Sequence, residues 1–514
     1  MDFPAPSPSP PVSPGRNRPA GWIAGLAAAL LALYALFLIP YVGAVAGGSD
    51  SSGYMNHARM LASGRVHAPI RSIAGLAPNS ASLPPYLYVP LGFRPELAKA
   101  DVVPTYPPGL SLLIAAFEPI AGWRHAGDLV LILHSVAGIL LTYLLGRTFG
   151  LGPRWSAAGA VAIAVSPLYL FMSLQAMSDV PALVWTTAAV IAAWRSRERP
   201  AWALAAGAMM GVSVLVRPTN ALAFLPIAVA LGASPRRWLL LVLGGIPEAA
   251  FFFAYSSAVY GSAFTTGYGD TSTAFHWSYI PDTLLNYAHW LPLLLTPLAV
   301  FALGLPWIAR RSPRVAILLG VWIAAYAAFY SVYICTHETW WYLRFLLPAA
   351  PAILVAGLLV VRRLIEAPAA RAGAAAAWIG WAAAVAAIVA NGTYWNRERH
   401  AMSIGRGERK YAAVAEWVNG QMPRNAVLLV MQASGALFYY TDFTLVRYDA
   451  LNDGKDTGPR VEAAARRSGR PIYAVLFPFE VDDALSRALP GGWTKVGSIV
   501  DVTVWRRDGA NPGR

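Results

Sequence analysis

Residues 201–233, AWALAAGAMMGVSVLVRPTNALAFLPIAVALGA, decide how the chain is threaded. A membrane crossing takes about 20 apolar residues, so this run is too long for one ordinary span and short for two. Arg217-Pro218 lies near its middle. Read as one span, it sends every later arginine cluster to the outer side, against the excess of Lys and Arg in cytoplasmic loops. Read as two short helices with Arg217 at the outer turn, it keeps those clusters inside. The second reading is preferred, and such short helices need protein or a wet cavity around their ends.

Composition makes a membrane reading necessary. Of 514 residues, 57% are hydrophobic and only 13% charged, which is not the balance of a soluble enzyme. The net charge of +14 orients membrane loops here and does not point to nucleic acid. A lone cysteine, Cys335, excludes internal disulfides and thiolate metal sites. Candidate spans are 21–45, 127–146, 155–175, 179–194, 201–216, 219–233, 238–259, 288–309, 315–334, 345–361 and 374–392. With the N-terminus inside, 15 arginines and three acids fall on cytoplasmic segments, while the outer loop 260–287 has no Lys or Arg. The expectation is an α-helical polytopic membrane protein of about 11 transmembrane helices, in a bacterial inner membrane.

Three further segments complete the organisation. Residues 1–20 are Pro/Ser-rich and read as a disordered cytoplasmic tail. The run 21–46 is too long for the apolar region of a signal peptide and is kept as the first span. PPGLSLLIAAFEPIAGW, 107–123, has too few apolar residues to cross and carries Glu118-Pro119, so it reads as an amphipathic helix at the outer interface. Residues 21–394 then form the transmembrane domain, with outer loop 46–126. From 395 to 514 short apolar runs alternate with helical patterns, which argues a small extracytoplasmic α/β domain of four or five strands. QASG, 432–435, lacks the spacing of a phosphate-binding loop and reads as a helix start.

Four ionisable residues meet at the outer mouth of the spans: Asp50, Asp179, Arg217 and Arg344. An acid to take a proton and arginines to hold a phosphate suit transfer from a lipid-phosphate donor. Each also has an ordinary reading. Asp50 and Asp179 can cap the helices that follow them, and Arg217 and Arg344 can snorkel to headgroups. Glu248 stands near the middle of the seventh span without an evident partner. The histidines show no metal-ligand spacing. Trp277, Trp290, Trp340 and Trp341 suit either interfacial anchoring or stacking on a sugar.

SDSSGYMNHARMLASGRV (49–66), YPPGLSLL (106–113), SPLYLFMSLQAMSDVPAL (166–183), VRPTNALAFLP (216–226), VYGSAFTTGYG (259–269) and WWYLRFLLPAAPAIL (340–354) together resemble the GT-C integral membrane glycosyltransferases. The likeness is closest to the bacterial branch related to protein O-mannosyltransferases, the lipid A aminoarabinose transferase and the Rgt-type galacturonosyltransferases (family 39-like), and covers roughly residues 20–395. It implies a polyprenyl-phosphate-linked sugar as donor and an extracytoplasmic acceptor hydroxyl on a glycan, lipid or protein. By position, Asp50 matches the catalytic base, Asp179 a candidate second acid, and Arg217 and Arg344 the donor-phosphate contacts. Tyr54, Tyr106, Tyr268, Trp340 and Trp341 are candidate sugar or acceptor contacts. Many members carry an acidic pair after the first span, whereas Asp50 is followed by Ser51. No cofactor is predicted and no metal ligands are assigned, although this departure leaves a divalent metal open.

Two other classes remain. A transporter or lipid flippase places ionisable groups at mid-membrane and shows paired broken helices in repeated halves; only Glu248 is clearly mid-span. A sensor or scaffold explains the C-terminal segment but not the charges gathered at one mouth.

Overall fold

The computed structural model describes residues 21–452 and 456–509; the expected tail 1–20 lies outside them. The chain is mostly helical. It opens with α1 (Gly21–Leu38) and α2 (Ser49–Ala62), followed by a small antiparallel sheet in the order β1 (Ala68–Pro69), β3 (Asp101–Pro104), β2 (Phe93–Glu96). Next comes α3 (Pro108–Thr148), where left-handed backbone at Gly122 (φ 66°) separates two helical stretches. The segment read as a separate amphipathic helix thus abuts the following span end to end, because only glycine takes this turn without strain.

Proline sets the other breaks. One span was expected over 155–175, but α4 (Pro153–Val165) and α5 (Pro167–Ser173) meet at a 59° bend. Pro167 has no amide hydrogen to continue the ladder. The stretch 201–233 forms α7 (Trp202–Val216), a 3-10 turn (Pro218–Ala223) and α8 (Phe224–Leu231), with Arg217 extended at the break (φ −152°, ψ 110°), as a residue before proline prefers. Between them lies α6 (Asp179–Arg195), and α9 (Pro235–Tyr260) follows. The expected span 288–309 is divided among α10 (Ile280–Leu294), α11 (Leu298–Phe301) and α12 (Leu305–Ala309). After α13 (Pro313–Ser331), a 3-10 stretch Trp340–Ala349 leads into α14 (Ala350–Ala372), and α15 (Ala374–Glu398) ends the apolar part.

Among the described residues, five helical stretches are long and apolar enough to cross a membrane, or six with the bent pair α4–α5 as one, and four shorter apolar helices accompany them. The largest core cluster joins α4–α8 to α13 and α14. Close packing of α7 on α9 depends on small residues. A Cβ on Gly207 would stand 2.0 Å from the Leu241 carbonyl oxygen, and one on Gly244 2.0 Å from that of Leu204. Glu248 lies over Gly211 in this seam, and its Oε2 has no hydrogen-bond partner among the described residues.

Beyond α16 (Ile404–Gln421) lie β4 (Val427–Val430), α17 (Ser434–Tyr440), β5 (Thr444–Arg447), α18 (Tyr448–Leu451), α19 (Thr457–Arg467), β6 (Ile472–Leu476), β7 (Trp493–Ile499) and β8 (Val502–Arg507). The sheet order is β5-β4-β6-β8-β7, parallel from β5 to β6 and antiparallel from β6 to β7. Central β4 and β6 are wholly buried, which their unbroken VLLV and IYAVL runs require. One sheet face packs under α16 and α17; the other meets Ile73, Leu76, Leu83, Leu87 and Tyr88 of the loop after α2. The first long loop and the C-terminal sheet therefore share a core.

Candidate active site

Asp50 lies in the first turn of α2 but does not cap it. The N-cap is Gly48, and the Asp50 carboxylate turns sideways. Its Oδ1 accepts the Tyr106 hydroxyl at 2.5 Å, and its Oδ2 lies 3.0 Å from Arg344 Nη1. Tyr106 also meets Ser49 Oγ at 3.0 Å. Burial, and then the Asp50 carboxylate, hold the Tyr106 phenol well above its ordinary pKa, so it stays a proton donor to Asp50.

A second pair lies deeper. Asp179 opens α6, and its Oδ1 stands 2.7 Å from Arg217 Nη2, with the acid 1% and the arginine 12% exposed. The capping reading fails here too, because the carboxylate is spent on the arginine. Ser178 Oγ accepts Tyr54 at 3.0 Å and Arg217 Nη2 at 3.4 Å. Neither arginine snorkels outward: each is mostly buried against an acid.

Phe345 connects the pairs. The Arg217 guanidinium is 5.6 Å from its ring centre and that of Arg344 5.2 Å, within cation–π range. Tyr330 stacks on the same ring at 4.8 Å. Arg217 Nη1, Arg344 Nε and Asp179 Oδ2 are buried without a hydrogen-bond partner among the described residues. Buried polar groups are normally satisfied, so the two unmet guanidinium donors mark a place for an incoming acceptor, and the free Asp179 oxygen one for a donor.

The structure brings Asp50, Asp179, Arg217, Arg344, Tyr54 and Tyr106 into one linked group. The Tyr54 ring lies tilted 5.0 Å from that of Tyr106, and Tyr268 meets Tyr106 edge-on at 6.3 Å. Trp340 instead packs on Phe171 at 4.9 Å, and Trp341 leans on Trp340; among the described residues neither indole hydrogen-bonds to Asp50 or Asp179. Sequence reasoning did not single out Ser178 or Phe345, which neighbour named residues, or Glu408, whose Oε2 accepts Ser51 Oγ at 2.5 Å. Among the described residues no group of three or more His, Cys, Asp or Glu is placed to hold a metal ion.

Residues 105–259 match the family described as dolichyl-phosphate-mannose-protein mannosyltransferase. No curated protein matches the chain by sequence. Among solved structures, ArnT from Cupriavidus metallidurans bound to undecaprenyl phosphate is similar at TM-score 0.59 and 16% identity, over 97% of this chain and 100% of that one. The AglB oligosaccharyltransferase of Archaeoglobus fulgidus, in complex with an inhibitory peptide and a dolichol-phosphate, gives 0.51 and 14%, over 89% and 70%. The mycobacterial arabinofuranosyltransferase AftD gives 0.52 and 14%, over 94% and 40%. A segment spanning α3 to α9 matches the mannosyltransferase family, and nearly the whole chain shares its architecture with ArnT, AglB and AftD; together these give the chain the GT-C fold.

Proposed function

We propose that the protein moves a sugar from a polyprenyl-phosphate donor to an extracytoplasmic acceptor hydroxyl, with inversion at the anomeric carbon. One observation carries the reading: two guanidiniums with unmet N–H groups flank Phe345, and one of them is already held by a partly open acid. The undecaprenyl phosphate and dolichol-phosphate bound in the two similar structures support a lipid-phosphate ligand. Asp50 takes the acceptor proton, and the acceptor oxygen attacks the anomeric carbon as its bond to phosphate breaks. The polyprenyl phosphate leaves with the electron pair, its charge met by Arg217 and Arg344. Asp179 fixes Arg217 in place, so little reorganisation is needed as charge develops.

The acceptor is a glycan, a lipid or a protein, and the setting is a bacterial inner membrane crossed about 11 times, with residues 395–514 outside. Reporter fusions at 197, 236 and 363 should report inside, and one at 270 outside. The function is tested by comparing lipid-linked sugars in a deletion strain and its parent. One polyprenyl-phosphate sugar should accumulate, clear with the intact gene and persist with Asp50→Asn. An unchanged lipid-linked pool with unchanged envelope glycans would overturn the reading, and a transporter would then be the better class.

A further inference from the structure

The helix that carries Asp50 starts on a glycine and has no side-chain cap of its own. An α-helix leaves four N–H groups unmet at its start, and a carboxylate there also meets the positive end of the helix dipole. That carboxylate comes from the far end of the chain. Glu408, on α16 and 9% exposed, accepts with one oxygen, Oε2, both the Gly48 amide at 3.2 Å and the Ser51 hydroxyl at 2.5 Å.

The backbone is shaped for this contact. A Cβ on Gly47 would stand 2.0 Å from Glu408 Oε2, and one on Gly43 2.2 Å from the Gly405 carbonyl oxygen. Both glycines let α16 lie directly against the chain leading into α2. The same seam is tied by Arg409 to the Val42 carbonyl at 2.5 Å and by the Ala46 amide to the Tyr440 hydroxyl at 3.3 Å.

We infer that Glu408 is a positioning residue: it caps the Asp50 helix from the C-terminal part of the chain and so sets Asp50 against Tyr106 and Arg344. This rests on the reading of Asp50 as the base, and it assigns the C-terminal segment a part in transfer. The groups facing Glu408 are Asp50 across the turn, Lys410 and Tyr411 on its own helix, with Gln432 bridging to Tyr411 at 2.9 Å. Lys410 is itself paired with Asp501 at 2.9 Å.

The test uses the full chain in detergent micelles and two measurements. Amide exchange over 47–54 needs no substrate: Glu408→Ala should speed it about tenfold, as loss of a cap does, and Glu408→Gln, which still accepts both bonds, should leave it near normal. Ser51→Ala, a milder change, should give a smaller effect in the same direction. Transfer is then measured with lipid-linked sugar extracted from a deletion strain and that strain's membranes as acceptor. Here kcat should fall about tenfold in Glu408→Ala with KM for the lipid-linked sugar little changed, and Glu408→Gln should restore it.

Unchanged exchange in Glu408→Ala overturns the cap. Faster exchange with normal kcat overturns the positioning role and leaves only a stabilising contact. Adding Glu408→Ala to Asp50→Asn should cost nothing further, because the residue it positions is gone; an additional tenfold loss would also overturn the role. Normal turnover in Asp50→Asn alone would sink the base reading, while the exchange result would still decide the cap.

Discussion

The two acid–arginine pairs have the same chemistry and different surroundings. Asp179–Arg217 is sealed, with side chains 1% and 12% exposed, whereas Asp50 in the Asp50–Arg344 pair is 27% exposed. Asp179 begins a helix inside the bundle core, while Asp50 sits on α2 between the bundle and the C-terminal sheet. A sealed carboxylate bonded to an arginine holds geometry but meets no acceptor. A partly open one, bonded to an arginine and a tyrosine, is held and still reachable. On the proposed function, the difference favours the outer pair for proton transfer and leaves Asp179 of the inner pair to hold Arg217 toward the phosphate.

The largest effect expected is on turnover, at the outer pair. Asp50→Asn keeps the size of the side chain and one oxygen for Tyr106 but removes the base, which typically contributes about 10²–10⁴-fold to rate. Purified, folded variant that binds donor and barely transfers is the expected outcome. Normal turnover would break the comparison at once. The inner pair should respond in stability instead. Asp179→Ala strands a buried arginine, which costs about 3–5 kcal/mol and should appear as a lowered thermal midpoint and poor yield. A well-folded Asp179→Ala with turnover as low as Asp50→Asn would reverse the assignment.

The arginines come next. On the proposed function, Arg344→Ala and Arg217→Ala should each lose a charged hydrogen bond to phosphate, about 1.5–3 kcal/mol, read as a loss in kcat/KM for the lipid-linked donor. Arg344 shares its guanidinium with the partly open acid, so its variant should remain folded. Arg217→Ala also leaves Asp179 buried and unpaired, so it should lose stability as well. Unchanged dependence on donor concentration in both variants would remove the phosphate role.

Much of this site is legible in the sequence because charges at the outer ends of the apolar runs are few, and Asp50, Asp179, Arg217 and Arg344 stand out for that reason. Which acid takes which arginine is not legible, since that depends on how α6, the Arg217 break and the 3-10 stretch before α14 pack together. The bend at Pro167 and the break between α10 and α11, which holds Pro297, fall within continuous apolar runs, where hydropathy sees one span and only the proline signals the interruption. Glu408 has no signal at all. GERKYAAVAEW reads as an ordinary amphipathic helix, and only the approach of Gly43 and Gly47 shows that this charge faces inward.

The smallest expected effect concerns that buried acid and sharpens the contrast between the regions, since α2 is met at its start by Glu408 and, among the described residues, the Asp179 turn has no side-chain cap. Burial raises the Glu408 carboxyl above its ordinary 4.5; nearby Asp50 adds to this, and Ser51, Gly48 and Lys410 oppose it. A carboxyl whose folded pKa is raised contributes stability that is full below the unfolded value and lost as pH rises through the folded one. Glu408→Gln mimics the neutral form at every pH and still accepts both capping bonds. Its thermal midpoint should therefore track the parent's near pH 4.5 and rise above it toward neutral pH, with the gap then constant. The gap should narrow in the Asp50→Asn background, where one source of the raised value is removed. A gap independent of pH would mean that burial and capping charge cancel at this turn, and one that opens as pH falls would mean that the ionised carboxylate is the form α2 stabilises; either outcome would overturn the expectation.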